Sequence, residues 1–174
     1  VTSTDEIWGS DEAAPYLRSV PCKFDEEEPW SSWIVELPWK MLEDRIREKG
    51  KGTVLRSVTV TRRSESGAAT ALEAVSDKDS CIIENEYEIR KFLAPVNCMI
   101  TEKDGTETTG GSLLPSAYFE LERTQNGNLQ VRGKGYGHGV GMSQTGADKM
   151  AEQGYDYREI LDYFFRNITV ENLG

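Results

Sequence analysis

The sequence predicts an α+β fold: antiparallel β-hairpins with three to four short helices in a single domain. Three observations predict it. Runs of β-branched and aromatic residues come in pairs joined by turn signals, above all Gln125-Asn126-Gly127. Short apolar stripes at helical spacing are opened by capping residues and closed by Pro or Gly. Strands and helices do not alternate regularly, so a parallel βαβ sheet is not expected.

Residues 1–30 are polar and acidic and carry Pro15, Pro21 and Pro29. They read as a short helix or turn near Glu12–Leu17 and then irregular chain, ahead of a compact part over 31–174. The run Asp25-Glu26-Glu27-Glu28 reads as a solvated loop, because a cation site needs converging geometry that a run does not give. Trp30 to Leu37 predicts a strand entering the core. Pro38 suits the first position of a helix, along which Trp39, Leu42 and Ile46 form one stripe. Gly50 and Gly52 stop it.

Residues 54–61 and 68–75 predict a strand pair turned by Ser64-Glu65-Ser66-Gly67. The second run is alanine-rich and has helical propensity; the turn before it decides for strand. Cys81–Ile83 is a brief strand. Asn85 caps a helix with Glu88 as the acid three residues on, and Ile89, Phe92 and Leu93 form its buried face before Pro95 closes it. Residues 95–115, with turns at Asp104-Gly105 and Gly110-Gly111, form a strand pair or an irregular segment. Residues 118–122 and 129–136 form the hairpin around Asn126-Gly127. Asp156, with Glu159, caps a last helix whose Ile160, Leu161 and Phe164 pack inward, and Ile168–Val170 predicts a closing strand.

Composition bounds the function. The 174 residues are 37% hydrophobic and 29% charged, enough for a modest core. Lys and Arg number 20 against 30 Asp and Glu, a formal charge of −10, which disfavours nucleic acid as a partner. No apolar run approaches the ~20 residues of a membrane span. Val1 opens directly into Thr2, Ser3, Thr4 and Asp5, so no signal peptide is read, and the missing initiator Met predicts a processed or shortened chain. Cys22, Cys81 and Cys98 contain no CxxC pair and His138 is the lone histidine, so no zinc site of the usual spacing and no cofactor is expected. Cys81 and Cys98 could be bridged if their strands run side by side; otherwise they read as plain buried thiols.

The informative segment runs from Gly133 to Gly146 and holds six of the 16 glycines. Alternate glycines from 133 to 141 would remove the Cβ from one face of an extended strand, so that another segment or a ligand approaches the backbone closely. Ser143 then caps a helix whose Ala147, Met150 and Ala151 face inward and which Gly154 ends. The spacing matches neither a Walker loop nor a GxGxxG turn, and no G-x-S-x-G elbow exists. His138 has two readings: a structural histidine bonded to a backbone carbonyl, or a cleft residue that bonds a polar ligand or orients a catalytic group. Ser143 and Gln144 share that choice, with helix capping as the alternative for Ser143.

Gly135-Tyr-Gly-His-Gly-Val-Gly-Met-Ser-Gln-Thr-Gly-Ala147, then Met150-Ala151, Gly154 and Tyr157-Arg-Glu-Ile-Leu161 with Tyr163, resembles the C-terminal signature of the stage II sporulation protein D and LytB (SpoIID-domain) family. Glu88-Ile-Arg90 with Leu93 resembles the family's "elR..L" helix, and Ile7-Trp8-Gly9 with Pro15-Tyr-Leu-Arg-Ser-Val20 resembles its "vWg…pYLrsV" segment. The whole stretch 1–174 then corresponds to the C-terminal portion of such a domain. The resemblance implies an extracytoplasmic protein anchored through an N-terminal segment, acting on peptidoglycan glycan strands as a lytic transglycosylase. One carboxylic acid protonates the glycosidic oxygen, and the C6 hydroxyl of N-acetylmuramic acid attacks the anomeric carbon to leave a 1,6-anhydro end. The family's general-acid glutamate belongs to an upstream "vv..Em" stretch that has no match here. Glu6, Glu12 and Glu36 therefore inherit no role, and no catalytic or metal-binding residue is assigned. What carries over is a glycine–histidine wall of the cleft: Lys134, Tyr136, Gly137, His138, Gly139, Gly141, Ser143 and Gln144 as substrate-contact residues, with Lys134 and Arg132 offsetting the acidic charge. The alternative is a non-catalytic module that binds peptidoglycan or activates other cell-wall hydrolases such as amidases.

Overall fold

The computed structural model describes Val20 and residues 22–171. The helix expected near Glu12–Leu17, and nearly all of the two N-terminal segments quoted for the family resemblance, lie outside the described residues. The α+β class holds: four α-helices and eight strands, all paired antiparallel, appear among the described residues.

The unit of residues 29–138 contains both sheets. Strand β1 (Trp33–Leu37) alternates strictly, with Trp33, Val35 and Leu37 buried and Ile34 and Glu36 exposed. That period of two makes it the central strand of a half-buried sheet. Helix α1 (Trp39–Glu48) follows at once, with Pro38 as its N-cap rather than its first residue, and it buries Leu42 and Ile46 as the stripe predicts. Left-handed Gly50 ends it. Strands β2 (Leu55–Arg63), β3 (Ala69–Ser76) and β4 (Ser80–Glu84) form a three-stranded sheet in that order. The alanine-rich run is thus a strand, flanked on both sides by partners, and its small side chains are almost all buried. Helix α2 (Glu86–Phe92) is capped by the Asn85 side chain, which accepts from the Glu88 amide at 2.9 Å. Strands β5 (Met99–Glu102), β6 (Glu107–Thr109), β7 (Phe119–Arg123) and β8 (Leu129–Gly133) complete a five-stranded sheet of order β6-β5-β1-β8-β7. One cluster runs from Trp33 and Leu37 through Leu72 and Ile89 to Leu114 and Val131 and joins both sheets.

The other unit combines residues from both ends of the chain, 1–28 and 139–174. It holds α3 (Gln144–Glu152), capped by Ser143, and α4 (Tyr157–Phe164), whose Asp156–Glu159 capping box is complete. Phe24 meets Tyr155 and Tyr163 edge to face at 5.7 and 5.4 Å. The helix α3 buries Gly146 and Met150, whereas Ala151, expected inward, is exposed. On α4, Phe164 is buried while Ile160 and Leu161 are only half-buried.

Two strand expectations are corrected. The strand expected over 129–136 stops at Gly133, because Gly135, Gly137, Gly139 and Gly141 all take positive φ, between 71° and 111°. Left-handed residues cannot continue a ladder, so the glycine segment is a loop and not an extended strand. The closing strand at 168–170 does not form; left-handed Asn167 (φ 62°) precedes irregular chain. The acidic run 25–28 is a turn in which Asp25 and Glu28 have partners, the Ser143 hydroxyl at 2.7 Å and the Lys149 ammonium at 3.6 Å. All three cysteines are free and half-buried rather than fully buried. Cys81 lies on β4 and Cys98 just before β5, in different sheets, so their strands do not run side by side.

The turn between β3 and β4 is stabilised by charge. Asp77 accepts from the amides of Thr53 and Val54 and from the Thr53 hydroxyl at 2.8–3.1 Å. These donors hold its carboxyl at about 2, below the ordinary 3.8. A lowered carboxyl adds stability that is complete above the unfolded value and is lost as pH falls through the folded one. Asp77→Asn is therefore expected to lower the thermal midpoint at neutral pH. The gap to wild type should narrow from pH 4 downward and close near pH 2, read by circular-dichroism melts across that range.

Candidate functional site

The loop after β8 is assembled around Trp33. Its indole fills the space that a side chain at Gly133 would need: a Cβ there would come within 2.0 Å of Trp33 Cζ2. The close approach expected of this glycine is therefore made by the protein's own core. Gly133 and Trp33 are register partners on β8 and β1. Trp33 is 1% exposed, and its indole N–H donates to the Gly135 carbonyl at 2.9 Å. A buried indole N–H needs such a partner, so the ring that supports β8 also fixes the first left-handed turn beyond it.

A second anchor comes from α2. Arg90 is buried and forms an ion pair with Glu86 one turn earlier, at 2.5 Å. Its guanidinium also donates to the carbonyls of Leu114 (2.8 Å) and Pro115 (3.2 Å). The Pro115 carbonyl accepts in addition from the Gly137 amide at 2.8 Å. Next to it, the Ser116 hydroxyl donates to the Lys134 carbonyl at 2.7 Å, and the Lys134 amide donates to Tyr118. Arg90 thus holds the 114–116 segment, and that segment holds Lys134 and Gly137.

Of the expected contact residues, Lys134, Tyr136, Gly137 and His138 fall in the unit of residues 29–138. Lys134 and His138 have exposed side chains. Tyr136 is 72% exposed, with its ring 5.0 Å from that of Trp30 and tilted by 58°. Gly139, Gly141, Ser143 and Gln144 fall in the other unit. Ser143 is committed to structure: its hydroxyl donates to Asp25 and accepts the Gly146 amide at 3.1 Å, the helix-capping alternative. Gln144 is exposed at the first position of α3. At Gly135, Gly137 and Gly141 an added Cβ would meet nothing within 4 Å. There the left-handed backbone, not crowding, calls for glycine. Sequence reasoning missed Trp30, Trp33, Arg90 and Ser116 as the residues that shape the loop; only Arg90 carried a signal, through its place in the "elR..L" resemblance.

Two carboxylates are buried among the described residues, Glu86 and Glu102. Glu86 is held by Arg90, and Glu102 accepts the Thr108 hydroxyl at 2.5 Å. The Asp shifts that stand out all run downward: Asp44 through Lys40, Asp77 and Asp104 through backbone amides, and Asp79 through Lys51. A general acid needs the opposite displacement. Among the described residues no group of three or more His, Cys, Asp or Glu is arranged to hold a metal, and no helix is long and apolar enough to cross a membrane. Burial pushes the Cys22 and Cys98 thiols up, away from the reactive thiolate.

Arg90→Met should leave Glu86 buried without its cation, the Leu114 carbonyl without this donor and the Pro115 carbonyl with the Gly137 amide alone. A loss of about 3–5 kcal/mol is expected, read as a lower denaturant midpoint. Arg90→Lys should recover only part of it, since a single ammonium cannot reproduce the fork. Gly133→Ala should cost about 3 kcal/mol or more, read as the same midpoint shift, because a Cβ there displaces the buried Trp33 ring.

The family described as Domain of unknown function (DUF8618) matches residues 19–141. A stage II sporulation protein D of Bacillus amyloliquefaciens is 27% identical over 168 residues, 97% of this chain and 41% of that protein. The amidase enhancer of Bacillus subtilis is 38% identical over 61 residues, 35% of this chain and 8% of that protein. An uncharacterized protein of Brachyspira hyodysenteriae is 41% identical over 71 residues, 41% of this chain and 19% of its own length. The chain thus spans less than half the length of these relatives. With the family match covering most of its length, the chain belongs to the DUF8618 family, and its relatives named stage II sporulation protein D and amidase enhancer support membership of the SpoIID/LytB family.

Proposed function

We propose that this chain is the C-terminal portion of a peptidoglycan-remodelling protein of the sporulation and cell-wall type, and that its glycine–histidine loop contacts glycan strands. The observation that carries the reading is the likeness to stage II sporulation protein D along 97% of the chain. The anchored loop supports it. Lys134, Tyr136, Gly137 and His138 follow one another on a backbone pinned at Gly135 and Gly137, and three of their side chains are open or exposed.

The reaction is lytic transglycosylation. A carboxylic acid gives its proton to the glycosidic oxygen, the bond from the anomeric carbon to that oxygen breaks, and the muramic C6 hydroxyl attacks the same carbon. The attacking hydroxyl yields its proton to the carboxylate, and no water is consumed. The family's general-acid glutamate stands in a stretch with no match among these 174 residues, so by that resemblance the acid belongs to a region upstream. The site of action is outside the cytoplasm, with anchoring by an N-terminal segment, as the family resemblance implies. Lys134, Tyr136, Gly137, His138, Gly139 and Gly141, with Gln144, are the contact residues, and Ser143 holds the helix start on which Gln144 stands. A second reading, a non-catalytic module that activates an amidase, is favoured by the relative named amidase enhancer.

Mass spectrometry of stem-peptide-free glycan strands tests both. A longer chain that includes the upstream part should produce 1,6-anhydro ends, and the 174 residues alone should leave the strands intact. Anhydro ends from the short chain would overturn the upstream placement of the acid. Intact strands with the longer chain, together with a faster added amidase, would establish the second reading.

A further inference from the structure

We propose that Trp30 and Tyr136 form a stacking platform for the apolar face of a pyranose ring, so that glycan contact at this loop is made through aromatic faces before charge. The proposal rests on the glycan reading above and adds Trp30 to it.

Tyr136 is the most exposed large apolar side chain among the described residues, at 72%. An exposed ring on a wandering loop would carry no message, but this one is fixed from both sides. The preceding Gly135 carbonyl accepts from the Trp33 indole at 2.9 Å, and the following Gly137 amide donates to Pro115 at 2.8 Å. Trp30 braces the ring laterally at 5.0 Å without covering it. Trp30 is itself held in the 3-10 turn Pro29–Ser31, whose Pro29 carbonyl accepts from the Lys103 amide at 2.9 Å. Ordering two rings before a ligand arrives lowers the entropy lost on binding.

The chemistry selects the ligand. A pyranose presents axial C–H groups on one face and hydroxyls around its rim. The negative face of an aromatic ring attracts the C–H groups, and the rim stays hydrated. A nucleobase would stack equally well, but its phosphate backbone would meet a chain of net charge −10. A protein anchor would need a ring of apolar neighbours to exclude water. Here the residues on either side of Tyr136 are glycines, and a Cβ on either would meet nothing within 4 Å. Lys134, exposed two residues earlier, is placed along the chain to meet an acidic substituent of the sugar.

Calorimetric titration of the 174-residue chain with stem-peptide-free glycan strands, and with N,N′,N″-triacetylchitotriose as a defined probe, tests this. Tyr136→Ala and Trp30→Leu should each weaken binding roughly tenfold, the scale of one aromatic contact. Tyr136→Phe should recover most of the loss. Tyr157→Ala, an exposed tyrosine on α4, should change nothing. Affinity should vary little between low and high salt. Wild-type binding that survives Tyr136→Ala would overturn the platform and leave the glycan reading standing; Tyr136 is exposed, so this variant folds. Failure of Tyr136→Phe to recover binding, or equal binding of a single-stranded oligonucleotide, would overturn the sugar-face assignment. Absence of any wild-type binding to either glycan would overturn both the platform and the glycan reading.

Discussion

The indole of Trp33 sits where three requirements meet. It stands on the central strand of the five-stranded sheet, it is almost fully buried, and it carries a polar N–H that burial would otherwise leave without a partner. Register places it opposite Gly133, whose missing side chain is the space the ring occupies. A larger residue at 133 would expel the ring from the core, and a ring without an N–H would release the Gly135 carbonyl. One contact therefore ends β8, fills the core at that point and sets the direction in which the glycine loop departs. The aromatic apolar area gives the contact its strength, and the indole hydrogen bond gives it a direction.

The second anchor works through backbone carbonyls rather than packing. Residues 114–116 run without regular structure, so their polar groups need partners from elsewhere. Arg90 supplies donors to two of the carbonyls, and Glu86 neutralises it in the same buried site. A buried ion pair is weak as a source of net stability but expensive to break from one side. Its effect here is specificity of arrangement. The segment has one position relative to α2, and Pro115 and Ser116 pass that position on to Gly137 and Lys134. Arg45 does comparable work at the other end of α2, donating to the carbonyls of Phe92 and Ala94 at 2.5 and 2.6 Å. Burial holds its guanidinium below the usual range, and the nearby Cys98 and Glu48 counter that only in part.

Much of this architecture was legible in the sequence because it is local. Asn85, Ser143 and Asp156 cap the helices they were expected to cap, since a side-chain oxygen two or three residues from an orphan amide is a short-range event. The Asn126-Gly127 hairpin and the 64–67 turn form for the same reason, with left-handed glycines at 127 and 67. The alanine-rich strand was decided correctly by its turn rather than by its propensity. What failed was reading the glycine alternation as a strand. Period two is shared by a pleated strand and by a chain whose every second residue is left-handed, and composition cannot separate them. The partners of the loop were beyond reach as well: Trp33 lies 102 residues from Gly135, and Arg90 lies 25 from Pro115. Glycine's tolerance was visible, but not what it would tolerate.

That failure also clarifies what the glycines do. If all had served close packing, each would sit against a neighbour, as Gly133 does against Trp33 and Gly146 against the Cys22 sulfur, 2.5 Å from a Cβ placed there. At 135, 137 and 141 the space is open, so glycine is present for its backbone conformation alone. A left-handed residue with a side chain is disfavoured, by about 1–2 kcal/mol. Every second position of this loop is therefore closed to larger residues, while the positions between remain free to carry side chains outward. Lys134, Tyr136 and His138 occupy those intervening positions. The consequence is a loop in which flexibility of composition does not become flexibility of structure, because Trp33 and the Arg90-bound segment hold its first turns. Chemically diverse side chains then emerge at a spacing of two from a backbone that is fixed. Such an arrangement adds little to folding, and it is the kind of surface that the proposed glycan contact requires.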